Sequence, residues 1–268
     1  MASVLRWLNE KAETFSIVVP VWGFRVVVPT FDRLLYAWLH VMGAMGQESR
    51  SWLKKNVQTG MVCVDVGANI GLYSLEISRL AGPAGKVHSF EPDARLFRAL
   101  QRNCERNQSG ATVSVTEGAV ADHSGLATLR RGLFNSGDNR LDESGGAGAD
   151  VRLVRLDEAI EEQIDFIKID VQGHEPGVLR GMAGILTRQV RPLLVRMEFW
   201  PHGLNEAGND PRSFLEEMEK AGWKCRTTDG EIVSDKLIEK LSKSKKFVDL
   251  TLTHPCLSGD QEKQSVTS

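Results

Sequence analysis

Two groups of residues in this sequence have the types and spacing to do chemistry. The first is Asp65-Val66-Gly67-Ala68-Asn69-Ile70-Gly71, followed by Glu91-Pro92. Gly67 and Gly71 allow a sharp strand-to-helix turn whose backbone can approach a ligand closely. An acid about 20 residues past such a turn is placed to accept both hydroxyls of a ribose, and Glu91 stands there. The turn departs from the dinucleotide pattern G-x-G-x-x-G in two ways: Asn69 occupies the second glycine position, and Asp65 lies at the end of the strand. A pyrophosphate seeks bare backbone N–H groups, so Asp65 would repel it. A ligand that carries an ammonium and a sulfonium, such as S-adenosylmethionine, is instead favoured by that carboxylate. The electrostatics therefore point away from a nicotinamide dinucleotide. Ala119 is small enough to let an adenine slide between loops. Asp122 either reaches the adenine edge or ends a turn.

The second group is Asp170, Gln172, His174 and Glu175, with Glu198, Trp200 and His202 further on. Activating a hydroxyl needs a carboxylate or histidine within hydrogen-bond reach. Asp170 is the first candidate for that base, or for orienting the acceptor. Glu198 ends a buried strand, where an uncompensated charge is costly and so points to a site. Glu175 sits in the first turn of a helix, where the helix dipole alone would justify an acid. His174 is a base by type, and His202 is a weaker candidate. Lys168, inside a strand, reads as a structural partner for a carboxylate. These acids and a histidine have the chemistry to hold magnesium or manganese. The spacing does not require a metal, and no residue is assigned as a ligand.

The elements that must position both groups alternate in type. Apolar runs at Val62–Val66, Val87–Phe90, Thr112–Glu117, Phe166–Ile169 and Leu193–Phe199 read as strands. Helical spacing predicts helices over Gly71–Leu80, Asp93–Asn107, Leu156–Glu162 and from Pro176 through Leu186. Asp210-Pro211 opens another helix. Lys224–Thr227 and Phe247–Leu252 supply two last strands. The result is an α/β, Rossmann-like, doubly wound and mostly parallel seven-stranded sheet. Its ligand-binding residues are expected just after the strands. Residues 125–154 break the rhythm, with two short paired strands around Asn135–Arg140 and a glycine-rich run, a connection suited to covering a site. Residues 1–60 form an N-terminal accessory segment: a hairpin about Trp22-Gly23, then a helix near Asp32–Met42. The α/β core spans residues 61–257, and residues 258–268 read as a disordered tail.

The balance of charge excludes some classes. With 33 basic and 35 acidic residues the net charge is -2. That argues against nucleic acid as the partner. The four cysteines form no C-x-x-C pair, which points to reduced thiols rather than a disulfide framework or zinc site. The apolar stretch Ile17–Val28 is broken by Pro20, Gly23 and Arg25, too interrupted to span a bilayer. No secretory signal opens the chain, so a cytoplasmic location is expected.

Three of these segments together resemble the FkbM family of class I methyltransferases: Val64-Asp-Val-Gly-Ala-Asn-Ile-Gly, Phe90-Glu-Pro, and Phe166-Ile-Lys-Ile-Asp-Val-Gln-Gly-His-Glu. Leu179-Arg-Gly-Met and Glu198-Phe-Trp-Pro-His-Gly are similar to further family segments. The resemblance covers about residues 60–255. It implies methyl transfer from S-adenosylmethionine, most often to a hydroxyl of a sugar, glycan, polyketide or other secondary metabolite. One position departs from the family: many relatives have D-x-E-G where this chain has Asp170-Val171-Gln172-Gly173. Gln172 cannot be a base or a charged ligand. The rival readings are an NAD-dependent oxidoreductase, a non-catalytic nucleoside-binding module and a nucleic-acid methyltransferase.

Overall fold

The computed structural model describes residues 16–31, 46–108, 110–132, 136, 139–142 and 145–255. The expected helix near Asp32–Met42, Asn135 of the central connection, Cys256 and the tail from Ser258 lie outside them. The chain forms two compact units: Met1–Ala119 with Leu126–Arg152, and Val120–Gly125 with Leu153–Ser268.

In the first unit, β1 (Ser16–Val21) and β2 (Phe24–Pro29) pair antiparallel as the expected hairpin. Both turn residues, Trp22 and Gly23, have positive φ, 54° and 88°. This is the geometry that two-residue hairpins favour. Trp22 is an unusual residue there. Its carbonyl accepts from Arg79 and Arg50, and its ring meets Tyr73 edge-on, which holds the conformation. Helix α1 (Gly46–Asn56), unforeseen in the sequence, leads to β3 (Val62–Val66), α2 (Leu72–Ala81), β4 (Lys86–Glu91), α3 (Ala94–Arg106) and β5 (Thr112–Glu117). Strands β3, β4 and β5 are parallel neighbours. Cys63, Val64 and Asp65 are fully buried, as a strand covered on both faces requires.

The hairpin is fixed to α3 by side-chain amides. Asn103 Oδ1 accepts from the Val27 N–H, and its Nδ2 donates to the carbonyls of Val27 and Ile70. One turn on, Asn107 makes the matching pair with Arg25. Each amide completes one residue of β2's outer edge. An apolar cluster of Val19, Val21, Phe24, Val26, Leu75 and Leu96 lies beneath.

The next strands, β6 (Ala119–Val120), β7 (Gly125–Arg130), β8 (Arg140–Asp142) and β9 (Ala149–Val154), form a separate four-stranded sheet in the order β6–β9–β7–β8. The two short strands expected around the central connection are thus present and paired.

The second unit continues with α4 (Leu156–Ala159), β10 (Phe166–Ile169), α5 (Glu175–Arg180), α6 (Ala183–Arg188) and β11 (Leu193–Phe199). It ends with α7 (Pro201–Glu206), α8 (Pro211–Lys220), β12 (Lys224–Thr227), α9 (Asp235–Ser244) and β13 (Val248–His254). Strands β10 and β11 are parallel, while β13 runs antiparallel to both β11 and β12. The Rossmann-like sheet has seven strands. Asp210 caps α8, accepting from the Ser213 N–H, with Pro211 in its first turn.

One expected helix is broken. The apolar face from Pro176 to Leu186 predicts a continuous helix, but it divides at Gly181-Met182, and α5 opens at Glu175, one residue earlier. A Cβ at Gly181 would lie 2.0 Å from the Ala121 carbonyl oxygen, so only glycine fits that approach. Glycine is a weak helix former. Asp157 satisfies the break: its N–H donates to the Gly181 carbonyl and its Oδ2 accepts from the Gly184 N–H.

Candidate active site

The first group of chemistry-bearing residues forms a glycine turn between β3 and α2. Gly67, Asn69 and Gly71 have φ of 75°, 53° and 89°. Asn69 therefore adopts the conformation that the dinucleotide pattern reserves for glycine. Asparagine tolerates it better than other side chains, and Asn69 Oδ1 accepts from the Ile70 N–H at 2.8 Å. The Gly67 and Ala68 N–H groups both donate to the Phe90 carbonyl.

Glu91 joins this turn to the next one. Its Oε2 accepts from the Asn69 N–H and its Oε1 from the Asp93 N–H, each at 2.8 Å, and it is only 4% exposed. Pro92 follows with partial exposure, and Ala119 is buried. Asp65 is fully buried, and its Oδ2 accepts from Ser74 Oγ at 2.6 Å; Ser89 Oγ donates in turn to Ser74 Oγ. The turn thus carries a buried anion at its root and a fixed carboxylate at its rim. That donor set fits a ribose-bearing cation.

Beside Glu91 lies a network the sequence did not suggest. Asp93 is fully buried, caps α3 and pairs with Arg95 and Arg131; Asn139 also donates to it. Burial works to raise its pKa, but Arg95 and Arg131 outweigh this and hold it below the ordinary aspartate value. Arg95 also lies 4.0 Å over the Phe31 ring. Asn69 Nδ2 donates to Ser136 Oγ at 2.9 Å. Two points of the central connection, Ser136 and Asn139, are therefore tied to the turn and to α3.

The second group forms an acidic turn in the second unit. Asp170 directly follows β10, and Glu198 lies in β11. Gln172 Nε2 donates to Asp170 Oδ1 at 2.8 Å and to Glu198 Oε2 at 3.0 Å. Lys168 Nζ stands 3.4 Å from Asp170 Oδ2. Asp249 of β13 is the register partner of Glu198 and pairs with Arg196. Burial, then the charges of Asp170, Glu175 and Asp249, push the Glu198 carboxyl well above its ordinary range, against the pull of Lys168.

Glu175 is 1% exposed and accepts from the Val171 and Gly173 N–H groups. Burial, helped by the charge of Asp170, pushes its pKa up to about 7 in spite of those bonds. It is the knot of the turn. His174 occupies the N-cap of α5 without capping it through its ring. His202 lies on α7 and pairs with Glu206 rather than with the acidic turn. Asp122 is engaged by His123 and Arg180 in a partly exposed ion-pair cluster of the second unit. Two residues of this site escaped the sequence reading: Asp249, whose partner is 51 positions away (249 minus 198), and Arg196; Gln172 was read as part of the group but as neither a base nor a charged ligand.

Residues 65–225 match the family model described as Methyltransferase FkbM domain, which covers more than half of the chain. The chain belongs to the FkbM methyltransferase family. Methyl transfer dependent on S-adenosylmethionine is its chemistry. Similar proteins include the methyltransferase sdnD of Sordaria araneosa, 27% identical over 63% of this chain and 79% of that protein. The 31-O-demethyl-FK506 methyltransferase FkbM of Streptomyces tacrolimicus is 31% identical over 50% of this chain and 64% of its own. The hexuronic acid methyltransferase AglP of Haloferax volcanii is 26% identical over 59% and 61%. This FkbM chain spans less than two thirds of the latter two relatives. Its residues 65–225 include the glycine turn, Glu91 and the acidic turn. Among the described residues no helix is long and apolar enough to cross a membrane. Cys104 and Cys225 are free thiols, and Cys63 is buried.

Proposed function

We propose that this FkbM methyltransferase methylates a hydroxyl oxygen of a sugar, a glycan or a secondary metabolite. The observation that carries this reading is the pair of carboxylates, Asp170 and Glu198, bridged by one amide at the end of neighbouring strands. A hydroxyl is a poor nucleophile until its proton has somewhere to go. Asp170 takes that proton on a carboxylate oxygen and passes it to water. Burial and the neighbouring acids push the Glu198 carboxyl upward, which disfavours two charges on the pair, and in its protonated form Glu198 can donate to an acceptor oxygen. S-adenosylmethionine, when bound, supplies an electrophilic methyl group on a good leaving group. Glu91 holds its ribose hydroxyls, and Gly67 to Gly71 carry the backbone that approaches it.

The substrates named for two relatives, a demethylated FK506 and a hexuronic acid, support an oxygen acceptor on a small molecule or sugar. The near-neutral charge of the chain supports a small acceptor over nucleic acid.

The test is calorimetric titration with S-adenosylmethionine, S-adenosylhomocysteine and NAD, on wild type and on Glu91→Gln, with thermal melts as a check on folding. Micromolar binding of both adenosyl ligands, weakened about tenfold or more in a folded Glu91→Gln and absent for NAD, is expected. Transfer of labelled methyl to glycosides, uronic acids or macrolide alcohols then identifies the acceptor class. Preferential binding of NAD would overturn the reading.

A further inference from the structure

We propose that Gln172 is a positioning residue: its side-chain amide yokes the Asp170 and Glu198 carboxylates into one proton-handling pair, and the chain keeps it in a strained backbone conformation for that purpose. What the pair does with its proton rests on the hydroxyl methylation proposed above.

The conformation is the first argument. Gln172 has a φ of 58°, in the left-handed region. A glycine would adopt it without penalty, whereas any other side chain meets its own backbone there. Its neighbour shows what the turn alone demands. Gly173 has a φ of 104°, and a Cβ on it would lie 2.4 Å from the Gly203 carbonyl oxygen. The chain thus places glycine at 173, where it is needed, and a long side chain at 172, where glycine would be easier.

The second argument is that the turn is already built without the Gln172 side chain. The Val171 and Gly173 N–H groups donate to Glu175. The Gly173 carbonyl accepts from Asn209 Nδ2, and the Val171 carbonyl accepts from the His174 N–H. The Gln172 amide contributes instead outside the turn. It spends both of its N–H bonds on carboxylates, one just past β10 and one in β11, at 2.8 and 3.0 Å.

The third argument is charge. Asp170, Glu198, Glu175 and Asp249 crowd this site, with Lys168 and Arg196 as the nearby cations. A lysine at 172 would neutralise the pair and quench a base. An amide donates twice and adds no charge. It fixes where the two carboxylates point while leaving their proton count to the acids themselves. The amide's donation favours the ionised form of each.

The experiment replaces Gln172 by glycine, which relieves the backbone, and separately by methionine, which keeps the side-chain volume without donors. The Glu198 carboxyl is followed by carbon-13 NMR across pH in the full-length protein. Loss of the yoke is expected to move the Glu198 titration upward by about one pH unit in both variants. Gln172→Gly is expected to melt at or above the wild-type temperature. Titration of the same samples with S-adenosylmethionine is expected to show affinity within about twofold of wild type, because Glu91 and the glycine turn are intact. An unmoved Glu198 titration in either folded variant overturns the proposal. If the titration moves but neither wild type nor variant binds S-adenosylmethionine, the yoke stands and the function proposed above fails.

Discussion

The glycine turn after β3 and the acidic turn after β10 are built alike and finished differently. Each follows a parallel strand, holds one non-glycine residue at a φ near 55° (Asn69 at 53°, Gln172 at 58°), and is stapled by a nearly buried glutamate that accepts backbone N–H groups. In the glycine turn the strain is relieved on the spot, since Asn69 turns its own oxygen back onto the Ile70 N–H. Its root carboxylate, Asp65, is met by a chain of serine hydroxyls. In the acidic turn the strained side chain reaches away to a neighbouring strand, and the carboxylates face one another. On the function proposed above, a binding turn can be finished with local hydrogen bonds, whereas a proton-transfer site has to leave its acids in competition.

The same substitution made in both turns should separate them most. A Cβ at Gly173 would meet the backbone of Gly203 at 2.4 Å, whereas at Gly71 it would meet only the Leu100 Cδ1 methyl at 2.5 Å. Backbone cannot move aside and a leucine tip can. Gly173→Ala is expected to cost about 3 kcal/mol or more, and Gly71→Ala about 1–2 kcal/mol, the latter mainly for its positive φ. Urea melts measure both; equal losses would remove the distinction.

The staple of the acidic turn responds to pH. The folded-state pKa of Glu175 is raised to about 7 from 4.5. A raised pKa contributes stability that is full below about pH 4.5 and is lost as pH rises through about 7. At about 1.4 kcal/mol per unit, the loss is up to about 3 kcal/mol. Glu175→Gln is therefore expected to be more stable than wild type at pH 8 by up to that amount and to lack this decline. The same change in stability between pH 5 and 8 in both proteins would contradict it.

The smallest effect belongs to Asn69. Because its conformation suits glycine, Asn69→Gly is expected to change stability by less than about 0.5 kcal/mol, whereas Asn69→Ala costs about 1 kcal/mol. Thermal melts of the pair decide this.

Much of this arrangement was legible in the residues. Val62–Val66 and Phe166–Ile169 are short, mostly apolar runs with an acid near or just past their carboxyl ends, Asp65 and Asp170, so both the strands and these carboxylates could be read directly. Asn69 read as a departure from a glycine pattern, because a letter code does not carry φ; in the fold it is the nearest replacement for glycine. The break at Gly181 escaped notice, because it depends on the Ala121 carbonyl 60 positions earlier (181 minus 121). Asp249 was missed for the same reason: its place opposite Glu198 is set by an antiparallel register. The Asp93–Arg131–Asn139 network joins residues whose separate letters suggest only a cap and a loop. What periodicity conveys is local; what brings distant segments together is packing, and no short window contains it.

The amides of Asn103 and Asn107 set a measure. Four residues along a helix advance about 6.0 Å, and two residues along a strand about 6.6 Å. The two spacings nearly agree, so a helix can grip alternate residues of a strand edge, as α3 grips Val27 and Arg25. Sliding the hairpin by one residue would turn both strand groups away at once and release Ile70 from the same amide. Insertions at Trp22-Gly23 lengthen the tip without consequence for this grip, whereas a single residue added between Arg25 and Val27 puts the hairpin out of step with the glycine turn.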